Sequence, residues 1–253
     1  MMSVVREDIG HCAVLTLNRP NVLNAINNEL LDELERHLDL LETDSSRALV
    51  LTGEGRAFCA GSDLNQRHGD PAVRMARMHR LVLRLQAFPK ISVAAINGVA
   101  LGGGLEVAMA CTFRIALPGV RLGLPEICLG LIPAYGGTQM LPHLVGRSKA
   151  LQMMLDGAPI ETEEAVRIGL LDRLAVPSSG LLEQACTWAV SMGRNGLIAQ
   201  QAIRRAVSEG LQMDLSQGLA LELGLATKIA ESADAQEGIL AFVERRKPVF
   251  SDC

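Results

Sequence analysis

The chain has 253 residues, 49% of them hydrophobic and 21% charged, a balance that supports a sizeable core in one large domain or a domain with a smaller appendage. Its formal net charge of −4 is spread without long runs of one sign, and its aromatic residues are one Trp, one Tyr and five Phe. Neither nucleic acid nor an anionic membrane surface is therefore expected as a main partner.

In chain order, the N-terminal "MMSVVREDIGHCAVLTLNRP" is too charged for a signal peptide and lacks the Arg- and Ser-rich bias of a transit peptide. "CAVLTLN" (12–18) reads as a strand. "NAINNELLDELERHLDLLETD" (24–44) places Ile26, Leu30, Leu34, Leu38 and Leu41 on one helical stripe. "RALVLTG" (47–53) is a second strand, and "DPAVRMARMHRLVLRLQAF" (70–88) a helix opened by Asp-Pro, with arginines suited to a solvated face. Further strands follow at "ISVAAIN" (91–97), "TFRIAL" (112–117) and "LDRLAV" (171–176). This alternation predicts an α/β layered architecture. Beyond about residue 178 only Gly-punctuated helical patterns appear, several apolar beyond a single stripe, as in "LALELGLA". That surface calls for a partner.

Six cysteines (12, 59, 111, 128, 186 and 253) form no C-x-x-C pair, so buried free thiols in a reducing compartment are expected. No apolar stretch reaches membrane-spanning length, and the expected location is cytoplasmic. The histidines (11, 37, 68, 79 and 143) show no ligand spacing, so no metal site is expected. Cys59 reads as a small buried thiol rather than a nucleophile.

Three segments combine glycine with polarity. "GEGRAFCAGSDL" (53–64) follows a strand and either presents backbone N–H groups to an oxyanion or is an ordinary turn. "VALGGGLEVAMA" (99–110) reads as a Gly-rich turn and a short helix from about Gly104, with Glu106 in its first turns. The helix dipole favours the ionised Glu106, whereas apolar surroundings raise its pKa. Local pattern leaves it open whether Glu106 shuttles protons or simply suits the dipole. "RLGLPEICLGLIPAYGGTQMLP" (121–142) carries Glu126, which is either a helix-start or ion-paired Glu or the second half of an acid/base pair. Tyr135 either lines a pocket or covers core.

These segments, with "LNRPNVLNAINNELLDEL", "EEAVRIGLLDRL" and "FVERRKPVF", resemble in order and spacing the enoyl-CoA hydratase/isomerase (crotonase) superfamily over nearly the whole chain. The resemblance implies a crotonase-like β-β-α spiral core over 1–195 carrying the acyl-CoA site, and a C-terminal all-helical trimerisation region over 196–253. It implies a homotrimer or dimer of trimers. The backbone N–H groups of Ser62 and Gly103 would form the oxyanion hole, and Glu106 and Glu126 would be the catalytic pair. Ser62, Asp63, Leu64 and Asn65, with Ala25, Gly103, Phe242 and Lys247, would contact the CoA ester.

The implied reaction is reversible syn hydration of a trans-2-enoyl-CoA. No resident cofactor or metal is implied, because CoA arrives with the substrate. Other acyl-CoA chemistries of the superfamily stay open: Δ3-Δ2 isomerisation, hydration or decarboxylation of a branched or aromatic-pathway acyl-CoA, or hydrolysis. So does a non-enzymatic RNA-binding role, against which net charge and scarce aromatics count. Three positions depart from the usual pattern: Ser62, where Ala is common, the bulky Tyr135 in "PAYGG", where a small residue is common, and Ile91 in "FPKISVAA", where a second Pro is common.

Overall fold

The computed structural model describes residues 2–66 and 70–252, so His68 and Cys253 lie outside the described residues. The chain divides into two compact units, residues 1–190 and 191–253, described separately below. The division falls inside a helix, a few residues before the 195/196 boundary expected from the sequence.

In the first unit β1 (Val4–Ile9) pairs antiparallel with β2 (Cys12–Leu17). Helix α1 (Asn28–Thr43) starts where the Asn27 side chain accepts from Leu30 N at 2.9 Å, a capping bond that satisfies one of the first-turn N–H groups. Its stripe of Leu30, Leu34, Leu38 and Leu41 is buried, each leucine contributing about 2 kcal/mol of transfer free energy. Then a β-β-α pattern repeats. β3 (Ala48–Gly53) and β4 (Ala57–Cys59) precede α2 (Pro71–Gln86). β5 (Ile91–Ile96) and β6 (Val99–Leu101) precede α3 (Gly103–Ala110). β7 (Phe113–Ala116) and β8 (Arg121–Gly123) precede a 3-10 turn over Pro125–Leu129 and α4 (Gly137–Val145). The unit continues through α5 (Arg147–Asp156), β9 (Ile160–Glu161), α6 (Thr162–Arg167), β10 (Arg173–Leu174) and most of α7 (Leu181–Gly193).

The strands separate into a six-stranded sheet, β1-β2-β3-β5-β7-β10, and a four-stranded one, β4-β6-β8-β9. Within the larger sheet β2, β3, β5, β7 and β10 are parallel. Alternate residues feed two cores. Ala13, Leu15 and Leu17 of β2 join the α1 leucines, while Cys12 and Val14 join Ala185, Trp188 and Ala189 of α7. Burial on both faces is why these strands read as unbroken apolar runs.

In the smaller sheet β4, β6 and β8 are parallel neighbours, so their C-terminal ends lie side by side. The three Gly-rich polar segments leave from those ends, which is the usual position for a ligand site in a parallel sheet.

The structure corrects several expectations. The strand expected over 171–176 is only two residues long, and Leu171 N is spent on Ala165 O at 3.1 Å in the turn after α6 instead of on β7. Cys12, Cys59, Cys111 and Cys186 are buried free thiols, but Cys128 is exposed. The arginines of α2 are not simply solvated: Arg77 pairs with Asp32 and Glu35, and Arg84 with Asp39 and Glu42, all on α1.

The second unit holds α8 (Leu197–Gly210), α9 (Leu215–Ala230) and α10 (Ala233–Val243). Asp214 caps α9 and Ser232 caps α10, and the buried Asp234 accepts the N–H groups of Ser251 and Asp252. Leu215, Leu223, Ile239, Phe242 and Val243 are exposed on this unit. Among the described residues no helix is long and apolar enough to cross a membrane.

Candidate active site

The first segment leaves β4 and crosses Ile26. Ile26 N donates to Gly61 O at 2.7 Å and Asp63 N donates to Ile26 O at 2.9 Å, a single parallel bridge. In such a bridge the residue between the bonded groups points its own N–H the other way. The Ser62 N–H accordingly has no partner among the described residues. Beneath the loop, the buried Asp63 carboxylate pairs with Arg19 at 3.0 Å and accepts from Asn65 N at 3.1 Å. Arg19 also donates to Ala25 O, which ties residues 19–26 to the loop.

The glycine triplet forms the start of α3. Gly102 has φ +51°, and an ideal Cβ there would stand 2.8 Å from Glu126 Oε1. A Cβ on Gly103 would meet the Tyr135 ring at 2.8 Å, and one on Gly104 the Cys59 carbonyl oxygen at 2.1 Å. Each glycine therefore admits a different neighbour: a carboxylate, a ring and the backbone of β4. Gly61 is equally confined, since a Cβ there would lie 3.0 Å from Leu101 O and 3.3 Å from Gly103 N. This contact brings the Ser62 loop against the helix start. As the first residue of α3, Gly103 offers an N–H with no intrahelical acceptor.

Glu106 is 1% exposed. Its Oε1 accepts from Tyr135 N at 2.8 Å, just before α4, and from Gly137 N at 2.7 Å, the first residue of that helix. Burial outweighs these bonds and pushes the carboxyl up to about 7, with the nearby charge of Glu126 adding to the rise. Glu126 sits in the 3-10 turn after Pro125, and burial raises its pKa as well. Its Oε2 is buried without a hydrogen-bond partner among the described residues. Two carboxyls poised in this way can hold a small polar molecule and exchange protons with it.

Both acids line a cavity of about 410 Å³ with Ser62, Gly103, Arg74 and Tyr135. Leu129, Leu131 and Ile132 give the cavity an apolar side. Tyr135 Oη lies 2.5 Å from Ser62 Oγ and accepts from Arg74 Nε at 3.0 Å. Arg74 was missed in the sequence, where it is indistinguishable from Arg77 and Arg84 on the same helix. Among the described residues, no cluster of His, Cys, Asp or Glu is placed to hold a metal ion.

The structure thus brings Ser62, Gly103, Glu106 and Glu126 to one cavity, which Leu64 also lines. Ala25 and Asp63 lie buried behind the Ser62 loop, and Asn65 is exposed on it. Phe242 and Lys247 belong to the second unit, Phe242 exposed near the end of α10 and Lys247 in the segment after it.

A family model described as enoyl-CoA hydratase/isomerase matches residues 8–253. The chain is 42% identical over 240 residues to the 2,3-dehydroadipyl-CoA hydratase of Escherichia coli K12, covering 94% of each. It is 36% identical over 251 residues to the short-chain-enoyl-CoA hydratase of Clostridium acetobutylicum, covering 97% of this chain and 96% of that one. Its fold is similar to the crystal structure of enoyl-CoA hydratase from Bacillus anthracis, with a TM-score of 0.93 at 36% identity, over 99% of this chain and all of that one.

Proposed function

This chain belongs to the enoyl-CoA hydratase/isomerase family, and from that premise we propose that it catalyses the reversible syn hydration of a trans-2-enoyl-CoA to a 3-hydroxyacyl-CoA. In this reading the thioester oxygen sits between the N–H groups of Ser62 and Gly103, which stabilise the enolate-like charge as it develops. One such donor is worth about 3 kcal/mol. A water molecule lies between Glu106 and Glu126. Oε1 of Glu106 is held by Tyr135 N and Gly137 N, which leaves Oε2 to face the water. One carboxylate takes the water proton as oxygen adds at C3, and Glu126 delivers a proton to C2.

The observation that carries this reading is the meeting, in one cavity, of two carboxyls with raised pKa and a glycine-opened helix start. The paired acids favour hydration over Δ3-Δ2 isomerisation, which the family name also covers. The Asp63 side chain is committed to Arg19, so residue 63 would meet the CoA arm through its backbone, beside Ala25, Leu64 and Asn65. Phe242 and Lys247 would add CoA contacts from their own or a neighbouring subunit. CoA enters with the substrate, so the reaction calls for no resident cofactor. The exposed apolar residues of α8–α10 support assembly into a homotrimer or dimer of trimers; the setting we propose is cytoplasmic.

Reaction in D₂O tests the proposal. A trans-2-enoyl-CoA should yield 3-hydroxyacyl-CoA carrying one deuteron at C2, on the same face as the new hydroxyl. Turnover of a 3-enoyl-CoA with none of any 2-enoyl-CoA would overturn it.

A further inference from the structure

Two of the positions at which the sequence departs from the usual family pattern, Ser62 and Tyr135, are in contact. Ser62 Oγ and Tyr135 Oη are 2.5 Å apart, and Tyr135 Oη also receives Arg74 Nε at 3.0 Å. Arg74 is itself anchored by Nη2, which donates to Ile26 O at 2.7 Å.

The chemistry of the three groups fixes one donor and favours an order for the rest. A guanidinium only donates, so the phenol oxygen is the acceptor toward Arg74. The phenol has a single proton, and Ser62 Oγ is its one acceptor among the described residues. Were Ser62 to donate instead, that phenolic proton would be left unsatisfied beside a cation in a largely buried position, at the cost of a desolvated donor. The order that gives every one of these donors but the Ser62 hydroxyl an acceptor among the described residues runs from Arg74 to Tyr135 to Ser62, and it is the order we adopt. The Ser62 hydroxyl keeps its own proton, for which the described residues supply no acceptor, and Ser62 lines the cavity. Its backbone N–H likewise has no partner among the described residues.

We propose that the Ser62 hydroxyl is a third donor to the substrate's thioester oxygen, beside the N–H groups of Ser62 and Gly103, and that Tyr135 and Arg74 are the positioning residues that orient it. This proposal rests on the enoyl thioester reading above. A relay that begins at a permanent cation polarises the hydroxyl, so its donation strengthens as negative charge grows on the oxygen. The Tyr135 ring serves the same end by packing against Gly103, leaving no room for a side chain there.

Infrared spectroscopy of a bound 2-enoyl-CoA labelled with ¹³C at the thioester carbonyl tests this in the full-length chain. The variants are Ser62→Ala, which keeps the backbone N–H, Tyr135→Phe, which keeps the ring, and the double substitution. The carbonyl stretch should lie lower in the wild type than in Ser62→Ala, whose kcat should fall about tenfold to a hundredfold with KM little changed. Tyr135→Phe should move the stretch the same way by less, and should move it no further once Ser62 is Ala. Equal frequencies in wild type and Ser62→Ala would overturn the third donor. A Tyr135→Phe effect that persists in the Ser62→Ala background would overturn the relay. A wild type that leaves the carbonyl of every 2-enoyl-CoA at its aqueous frequency would instead contradict the thioester reading itself.

Discussion

The N–H of Gly137 donates to Glu106 Oε1 at 2.7 Å, and it does so because residue 137 has no side chain: a Cβ there would lie 2.8 Å from that same oxygen. The start of α4 is thus shaped to receive a carboxylate delivered by α3. The φ of Gly137 is not positive, so alanine is tolerated by the backbone, and its tightest conflict is with Glu106, ahead of Leu124 and Pro133 at 3.0 Å. Gly137→Ala should lower kcat about a hundredfold, the usual consequence of displacing a reacting group by about 1 Å. Steady-state kinetics beside a thermal melt checks this; unchanged kcat in a folded variant would contradict it.

The raised pKa of Glu106 makes a stability prediction. In the unfolded chain the carboxyl titrates near 4.5, and in the folded chain near 7. Between these values the folded state holds more protons than the unfolded state, so stability falls as pH rises through that window. Glu106→Gln keeps an oxygen for the Tyr135 and Gly137 N–H groups and removes the titration. Denaturation midpoints measured from about pH 4.5 to about pH 7 should decline more steeply for the wild type than for Glu106→Gln. Parallel curves would contradict the assignment.

Gly104 is confined by backbone rather than by a movable side chain. A Cβ there would sit 2.1 Å from the Cys59 carbonyl oxygen, so α3 and β4 must separate to admit it. Gly104→Ala should cost about 1–3 kcal/mol, the range for overpacking a filled interior. Denaturant unfolding gives the number, and a loss within error of zero would show that the strand and helix yield freely.

The Ser62 loop is held from below by Arg19 and the buried Asp63 at 3.0 Å. Arg19→Met strands that carboxylate, a change that costs about 3–5 kcal/mol when the partner stays charged and buried. Pairing it with Asp63→Asn should restore much of the stability. Because the pair supports the loop and takes no part in proton transfer, the restored double variant should recover turnover. Denaturation and kinetics together check both expectations.

What the sequence made legible follows from the physics of each element. Strands β2, β3, β5 and β7 are buried on both faces and stand out as apolar runs. Strand β1 hides because its second half, Glu7 to Ile9, is solvent-facing and mostly charged. β4, β6 and β8 have three residues each, too few for a period, and they run into the glycines that define the site. Glu106 could be marked as a carboxylate in an apolar run, but only the fold shows which amides receive it. Arg74 carried no signal, since its neighbours Arg77 and Arg84 share its spacing yet turn to α1. That Ser62 and Tyr135 touch lies beyond any local pattern, as they are separated by 73 positions.

The central claim is that Glu106 and Glu126 hydrate an enoyl thioester, and the loss of conjugated-thioester absorbance measures it most directly. The wild type should consume a trans-2-enoyl-CoA, while Glu106→Gln and Glu126→Gln should each lose about 10²- to 10⁴-fold in kcat with thioester affinity little changed. Near-normal turnover in both variants, or a wild type inert toward every 2-enoyl-CoA, would contradict the account.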